Sequence, residues 1–107
     1  MNSHNVEMEN NVLFFEAIAR RKCIAATYNR QSFMLAPHIL YTRHDEMFID
    51  AVTIKRDGQH PREVKIGSFK LAGLTDVSLE SMAFSPEPIF NPQEAKYAGA
   101  TLFAVEL

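Results

Sequence analysis

The stretch Glu46–Lys55, which reads EMFIDAVTIK, constrains the fold more than any other, because it is the longest run typical of a β-strand. Its apolar residues fall on both faces of such a strand: Met47, Ile49 and Ala51 on one face, Phe48, Val52 and Ile54 on the other. One polar residue, Asp50, interrupts the second face. Since two apolar faces are typical of a strand covered on both sides, the sequence places this strand in the middle of a small closed sheet.

The chain is long enough for one domain and too short for two ordinary ones, with 107 residues of which 47% are hydrophobic. This hydrophobic share supports a core and argues against a chain that is disordered throughout. The formal net charge is −2, from 11 basic and 13 acidic residues. That balance argues against a protein coated in positive charge for gripping nucleic acid, although it leaves room for a local basic patch.

The N-terminal region and the cysteine content favour a cytoplasmic chain. The first residues contain Glu7, Glu9 and Glu16 and no continuous apolar run, so we expect no signal peptide. No run reaches the roughly 20 apolar residues of a membrane span, so we expect no membrane contact. The single cysteine, Cys23, has apolar neighbours that predict a buried thiol.

The predicted fold is mainly β, with an N-terminal helix and about five antiparallel strands. Residues 1–10 are expected to be flexible, and an amphipathic helix begins between Asn5 and Asn10 and ends near Arg21. Its apolar face is predicted to comprise Val12, Phe15 and Ala19, extended by Phe14 and Ile18. Strands are predicted at Cys23–Asn29, Ser32–Leu40, Glu46–Lys55, Arg62–Ile66 and Phe69–Leu79, the last after a helical turn near its start.

Tight connections between these strands favour a small barrel or a strongly bent sheet, which removes exposed edges. Pro37 has no backbone N–H, so it marks an edge or a bend in its strand. The barrel domain is expected over residues 11–80.

The C-terminal extension, residues 81–107, is expected to pack on the same domain. Its closely spaced prolines prevent regular structure in the first part, and Asn91-Pro92 predicts the start of a short helix that ends near Gly99. Thr101–Leu107 alternates between apolar and polar residues and is expected to add a strand, either here or on a neighbouring molecule. Because an unpaired terminal strand invites docking on a second copy, we expect a homodimer.

The sequence carries no catalytic signature. Its glycines are scattered as turn residues and form no phosphate-binding loop, and its histidines lack the spacing of a zinc site. We therefore expect no enzymatic activity, no metal and no cofactor. Basic residues cluster around the second half of the predicted sheet: Arg43, Lys55, Arg56, Arg62, Lys65 and Lys70. They either serve as ordinary solvated surface or form a pocket for a phosphate-bearing ligand.

From about residue 13 to residue 79, the order and spacing of several short segments resemble the WYL domain family. The helix with Ala17-Ile18 is similar to the family's opening, and Tyr28 stands at the tyrosine that ends its first strand. The other positions that match the family's pattern are Pro37, the triplet Met47, Phe48 and Ile49 in place of Trp-Tyr-Leu, and Arg62 at the later arginine. The chain departs from the pattern where Ser68 replaces a second arginine and where the triplet lacks an indole N–H and a phenol hydroxyl.

This resemblance implies an Sm-like or SH3-like barrel that, in bacterial transcription regulators, senses nucleic acid or nucleotide-like ligands through basic residues. Carried onto this chain, it implies a regulatory module that binds a nucleotide or a short single-stranded oligonucleotide. The expected ligand-binding residues are Arg62, Arg43, Lys65 and Tyr28. The alternative is a structural or protein-interaction domain that has lost the pocket.

Overall fold

The computed structural model describes residues 3–107, with side chains described from residue 9 onward. It contains one helix, α1 (Ser3–Arg20), and six strands: β1 (Lys22–Tyr28), β2 (Gln31–Arg43), β3 (Glu46–Arg56), β4 (Ile66–Lys70), β5 (Thr75–Ala83) and β6 (Thr101–Ala104). Two short 3₁₀ turns lie at Leu71–Gly73 and Ala95–Tyr97. The flexible segment expected over residues 1–10 falls in part on residues 1 and 2, which lie outside the described residues, and the chain is helical from Ser3.

The six strands form one antiparallel sheet in the order β4-β3-β2-β1-β5, with β6 also paired to β2. The predicted strands at 23–29, 32–40 and 46–55 are confirmed, with small shifts of their ends. The first two hairpins use two-residue turns in which both residues have positive φ, Asn29-Arg30 and His44-Asp45. Such turns match the right-handed twist of the strands that they join.

The central strand of the sheet is β2, and it changes its neighbour at Pro37. Its pairing with β1 ends at Leu35, and its pairing with β6 begins at Ile39. The register against β3 shifts between Pro37 and Ile39. The missing N–H of proline thus coincides with the irregularity, so the predicted bend is confirmed, whereas the predicted edge position is wrong.

The sheet bends strongly but does not close into a barrel. Its outer strands β4 and β5 do not pair with each other within the described residues. A flat sheet would separate them by about 19 Å, whereas the chain from Lys70 to Thr75 spans at most about 17 Å. The sheet therefore curls, and Phe69 of β4 contacts the rings of Tyr28 and Phe33 at 5.2 and 5.4 Å between centroids. The expected closed barrel is wrong, because the 3₁₀ turn Leu71–Gly73, anchored by the buried side chain of Leu71, joins β4 and β5 without pairing them.

The buried face of α1 differs from the predicted face. Its buried residues are Asn10, Phe14, Ala17 and Ile18, which recur at helical spacing. Asn10 donates a hydrogen bond from Nδ2 to the backbone oxygen of Leu74 at 3.3 Å. Val12, which was assigned to the buried face, is 67% exposed. None of the helical segments within residues 3–107 is long and apolar enough to cross a membrane.

Both faces of β3 are covered, as the sequence predicts. Ile49 and Ala51 lie in the main core, and Val52 lies in a second cluster with Cys23 and Ala36. The prediction that the cysteine is buried is confirmed.

Two predicted elements in the second half of the sheet are wrong. Arg62–Ile66 is not a strand, because its apolar residue Val64 is 54% exposed and the segment has no face to bury; β4 begins only at Ile66. The long strand predicted at Phe69–Leu79 is divided between β4 and β5 by the 3₁₀ turn, which lies close to the expected helical turn.

The C-terminal extension packs on the sheet without the predicted helix. Only the 3₁₀ turn Ala95–Tyr97 forms, preceded by Glu94 in an extended conformation with ψ 145°. The side chains of Lys96 and Tyr97, which belong to this turn, both contact one carboxylate, that of Asp50. The terminal strand β6 pairs with β2 of the same chain, so it takes the first of the two predicted positions.

We expect Ile49→Ala to lower the free energy of unfolding by about 2–5 kcal/mol, because it empties space in a close-packed core. Ile89→Ala is the matched control, since Ile89 is 53% exposed, and should change stability by no more than about 0.5 kcal/mol. Urea denaturation followed by circular dichroism measures both. Equal, small effects of the two substitutions would contradict the position of β3 in the core.

Candidate functional site

The structure separates the four residues expected to bind a ligand. Arg62 and Lys65 lie together in the loop 57–65, between β3 and β4. Arg43 lies at the opposite end of β3, opposite Glu46, and the length of β3 separates it from that loop by about 30 Å. Tyr28 is half-buried and packs its ring against Phe69 of the core, away from that loop's basic side chains. Only Arg62 and Lys65 are brought together.

The loop 57–65 and the end of β3 form a shallow groove of about 450 Å³, which we call the basic groove. The residues that line it are Arg56, Gln59, His60, Pro61, Arg62, Glu63 and Lys65. Three of these side chains are permanent cations and one is a carboxylate. The groove therefore has the charge and the side-chain chemistry to hold an anion.

Backbone contacts hold the first half of the loop in place. Arg56 and Gln59 exchange two backbone hydrogen bonds of 2.8 and 3.0 Å. Asp57 joins the loop to the β1–β2 hairpin, because its Oδ1 accepts the N–H of Ser32 at 2.9 Å and its own N–H donates to the oxygen of Ser32 at 2.8 Å. His60 donates from Nδ1 to the oxygen of Ile54 at 3.0 Å. This side of the groove is thus built by the sheet.

The cationic side chains of the basic groove make only weak interactions with other residues in the described part of the chain. The guanidinium of Arg56 lies over the ring of Phe33 at 5.4 Å. Lys65 pairs with Glu63 at 3.7 Å, but both side chains are more than 70% exposed, so this pair contributes little. Arg62 forms no ion pair within the described residues, and Asp50, one of its expected alternative partners, pairs with Lys96. Arg62 is therefore available to a ligand.

The family-motif residues lie in the sheet, outside the basic groove. Ile49 is in the core, Met47 and Phe48 are half-buried against it, and Phe48 stacks on Tyr41 at 5.9 Å between centroids. Pro37 lies at the bend of β2. These positions shape the fold.

A second cluster was not predicted and surrounds a fully buried carboxylate; we call Asp50, Tyr41, Tyr97 and Lys96 the Asp50 cluster. The side chain of Asp50 is fully buried. Its Oδ1 accepts the hydroxyl of Tyr41 at 2.6 Å, and its Oδ2 accepts the hydroxyl of Tyr97 at 2.5 Å and the ammonium of Lys96 at 2.7 Å. The ammonium also lies over the rings of Tyr41 and Tyr97 at 5.5 and 5.2 Å.

These contacts favour the ionised forms of Asp50 and Lys96 and the neutral forms of the two tyrosines. Burial raises the pKa of Asp50, but the hydrogen bonds from Lys96 and the two tyrosines outweigh it, so this pKa lies below its ordinary value. Burial lowers the pKa of Lys96, but the hydrogen bond and charge of Asp50 outweigh it and raise this pKa. Burial, and then the hydrogen bond to Asp50, raise the pKa of both Tyr41 and Tyr97.

The charge state of Lys96 in the Asp50 cluster does not suit activation of the nearby Ser68. The Oγ of Ser68 lies 3.4 Å from the Nζ of Lys96. A lysine that activates a serine has to be neutral, whereas Asp50 keeps Lys96 protonated. The sequence carried one signal of this cluster, the polar Asp50 inside an apolar strand, but the distant partners Lys96 and Tyr97 carry no pattern that points to it.

His38 provides a second polar contact for the C-terminal extension and is also completely buried. Its Nδ1 donates to the oxygen of Ala36 at 2.8 Å, so its Nε2 accepts the N–H of Glu87 at 3.0 Å. The rings of Phe84 and Phe90 lie at 5.1 and 5.2 Å from the imidazole. Burial lowers the pKa of His38, although the bond to Ala36 and the charge of Glu87 oppose this effect. The ring is therefore neutral at pH 7.

Comparison of the chain with protein-family models, with curated proteins and with solved structures gave no match.

The coupling between Asp50 and Lys96 is measurable by a double-mutant cycle with Asp50→Asn and Lys96→Met. We expect a coupling energy of about 1–3 kcal/mol in urea denaturation, because one partner is desolvated. The control is the pair Glu46–Lys70, which has a 3.1 Å contact between half-exposed side chains, and its coupling should stay below about 0.5 kcal/mol. Similar coupling energies in both pairs would show that the burial of Asp50 does not strengthen its interaction with Lys96.

Stability should form a plateau between about pH 6.5 and pH 9. The pKa of His38 is lowered from 6.5 in the folded state, so the unfolded chain binds more protons and stability falls as the pH drops below that value. Burial raises the pKa of Cys23 from 9.0, and the pKa values of Lys96 and of the two tyrosines are raised as well, so stability falls as the pH rises above about 9. Melting temperatures measured across this range test both limits.

His38→Gln should flatten the acid side of this profile below about pH 6.5, whereas His44→Gln, at an exposed turn residue, is the matched histidine control and should keep the profile of the parent protein. If stability still falls below about pH 6.5 in His38→Gln, groups other than His38 cause the loss of stability in acid.

Proposed function

We propose that this chain is a small regulatory module without catalytic activity, which binds a nucleotide or a short single-stranded oligonucleotide by its phosphates in the basic groove. The observation that supports this function best is the convergence of Arg56, Arg62 and Lys65 on one groove with a single carboxylate, Glu63. A chain with a net charge of −2 has concentrated its positive charge there.

The geometry of the groove supports a phosphate-bearing ligand in particular. Its volume of about 450 Å³ lies within the range of small-ligand sites. The planar guanidinium of an arginine donates two parallel hydrogen bonds to a phosphate, and Arg62 is exposed and has no competing carboxylate partner within the described residues. The contact with Phe33 limits the freedom of the Arg56 side chain, which lowers the entropy cost of using it.

The resemblance to the WYL domain family supports the same proposal, because Arg62 stands at the position of a family arginine. On this proposal the chain is a diverged relative of the sensor domains of bacterial transcription regulators. Arg43, which was expected from its position just before β3, and Tyr28 are not part of the proposed site, since Arg43 lies at the far end of β3 and the half-buried ring of Tyr28 packs against Phe69.

A protein-interaction domain is the second candidate. Exposed apolar side chains on the C-terminal extension favour it, among them Ile89 at 53% and Leu107 at 75% exposure. A homodimer belongs to this candidate. Because β6 is already paired with β2, a second copy would have to use another surface, such as the outer edge of β4 or β5.

Arg62→Ala should weaken binding of a fluorescent single-stranded oligonucleotide or nucleotide by about 10- to 150-fold, the scale of a lost hydrogen bond to a charged group. Arg43→Ala is the matched control, because it removes the same exposed side chain at the other end of β3. Fluorescence anisotropy at fixed low salt measures the affinities, and both variants should keep the melting temperature of the parent protein. Equal affinities of the two variants, or the absence of binding by the parent, would favour the interaction domain.

A further inference from the structure

The Asp50 cluster has the composition of a cation-binding site, separate from the basic groove. The ammonium of Lys96 is surrounded by a buried carboxylate oxygen at 2.7 Å, two tyrosine rings at 5.2 and 5.5 Å, and the Oγ of Ser68 at 3.4 Å. A carboxylate and aromatic faces are the groups by which proteins recognise the ammonium of a ligand. Here a side chain of the same protein occupies that position.

Most of the site is built by the sheet without Lys96. Asp50 on β3 is directly paired with Ser68 on β4, and Tyr41 on β2 donates its hydroxyl to Asp50. Tyr97 approaches from the extension, and its hydroxyl bonds directly to the carboxylate. The Lys96 side chain is 41% exposed, whereas the Asp50 side chain is fully buried, so the lysine has a path to solvent that the carboxylate lacks.

Removal of the Lys96 ammonium leaves the buried carboxylate of Asp50 without a positive charge beside it, which destabilises the folded protein. The two tyrosine hydroxyls satisfy hydrogen-bond acceptors of Asp50, but they bring no positive charge. A carboxylate fixed in the middle of a buried strand then lacks a counter-charge, which is strongly unfavourable. The site therefore selects for a replacement cation whenever Lys96 turns out to solvent.

We propose that Asp50, Tyr41, Tyr97 and Ser68 form a binding site for a primary alkylammonium ligand, which Lys96 occupies in the free protein and which an external amine enters by exchange with Lys96. The hydrogen bond to Oδ2 requires an N–H donor, so the site discriminates primary ammonium ions from quaternary ones. This function is independent of phosphate binding in the basic groove, because the two sites share no residue.

The test uses Lys96→Ala, which keeps Cβ and vacates the space of Cγ to Nζ, the atoms of a propylammonium ion. The melting temperature of this variant should rise by about 4–8 °C when propylammonium chloride is present at about five times its dissociation constant. Tetramethylammonium chloride and sodium chloride at the same ionic strength should not produce this rise, because neither cation donates a hydrogen bond.

Two variants serve as controls. Lys70→Ala removes a lysine from the exposed pair with Glu46 and should show no specific response to propylammonium. The double variant Asp50→Asn/Lys96→Ala should lose the response of the single variant, since the carboxylate is gone. A response of Lys96→Ala equal to that of Lys70→Ala, or one that survives Asp50→Asn, would overturn the proposal.

A measurement on the unaltered protein covers the case in which Lys96→Ala does not fold. In an NMR titration with propylammonium chloride, the Lys96 side-chain ammonium signal should move toward the position of an exposed lysine, with saturation. Refolding of Lys96→Ala by propylammonium alone would also support the site. A Lys96 signal that follows only the ionic strength, as tetramethylammonium would show, would count against exchange.

Discussion

The buried charge of Asp50 is the constraint on which the second half of the structure depends. A carboxylate in a buried strand cannot be left without partners, and the sheet itself supplies the hydroxyl of Tyr41 but no positive charge. The other partners, Lys96 and Tyr97, come from the C-terminal extension. The extension is thus required to cover this face of the sheet, and its short 3₁₀ turn brings both side chains to the carboxylate.

The bend at Pro37 creates the space that the extension fills. Because β1 stops pairing with β2 at Leu35, the far half of β2 would expose its edge, and β6 pairs with it from Ile39 onward. His38, at the bend, accepts backbone N–H groups from the extension through both its ring and its carbonyl oxygen, at Glu87 and Val105. One proline without an N–H and two buried ionisable residues therefore explain why the last quarter of the chain belongs to the sheet.

Elements whose residue pattern lies within one short segment could be predicted from the sequence. Strand β3 was predicted almost to the residue, because a ten-residue run with apolar side chains on both faces is typical of a strand that is covered on both sides. On α1 the burial of Phe14 and Ile18 was predicted, whereas that of Asn10 was missed, because Asn10 reads as polar while its amide is satisfied by Leu74, a residue 64 positions away. The Asp50 cluster was missed for the same reason, since its members are separated by up to 56 positions and meet only through the fold. Of the expected ligand contacts, Arg62 and Lys65 are neighbours because they lie on one loop. Arg43 was expected beside them, but it lies at the start of β3, whereas that loop follows the end of the same strand.

The two charged regions of the molecule differ in their relation to water, and this difference decides what each can do. Cations of the basic groove are solvated, so they retain their charge without partners and give up little on meeting a phosphate. Asp50 is desolvated, so its charge has to be compensated at all times, and Lys96 provides that compensation in the free protein. An open groove therefore recruits a ligand by attraction, while a buried carboxylate recruits one only by exchange. On the two proposals, the basic groove attracts a phosphate directly from solvent, whereas the Asp50 cluster accepts an amine only by exchange with Lys96.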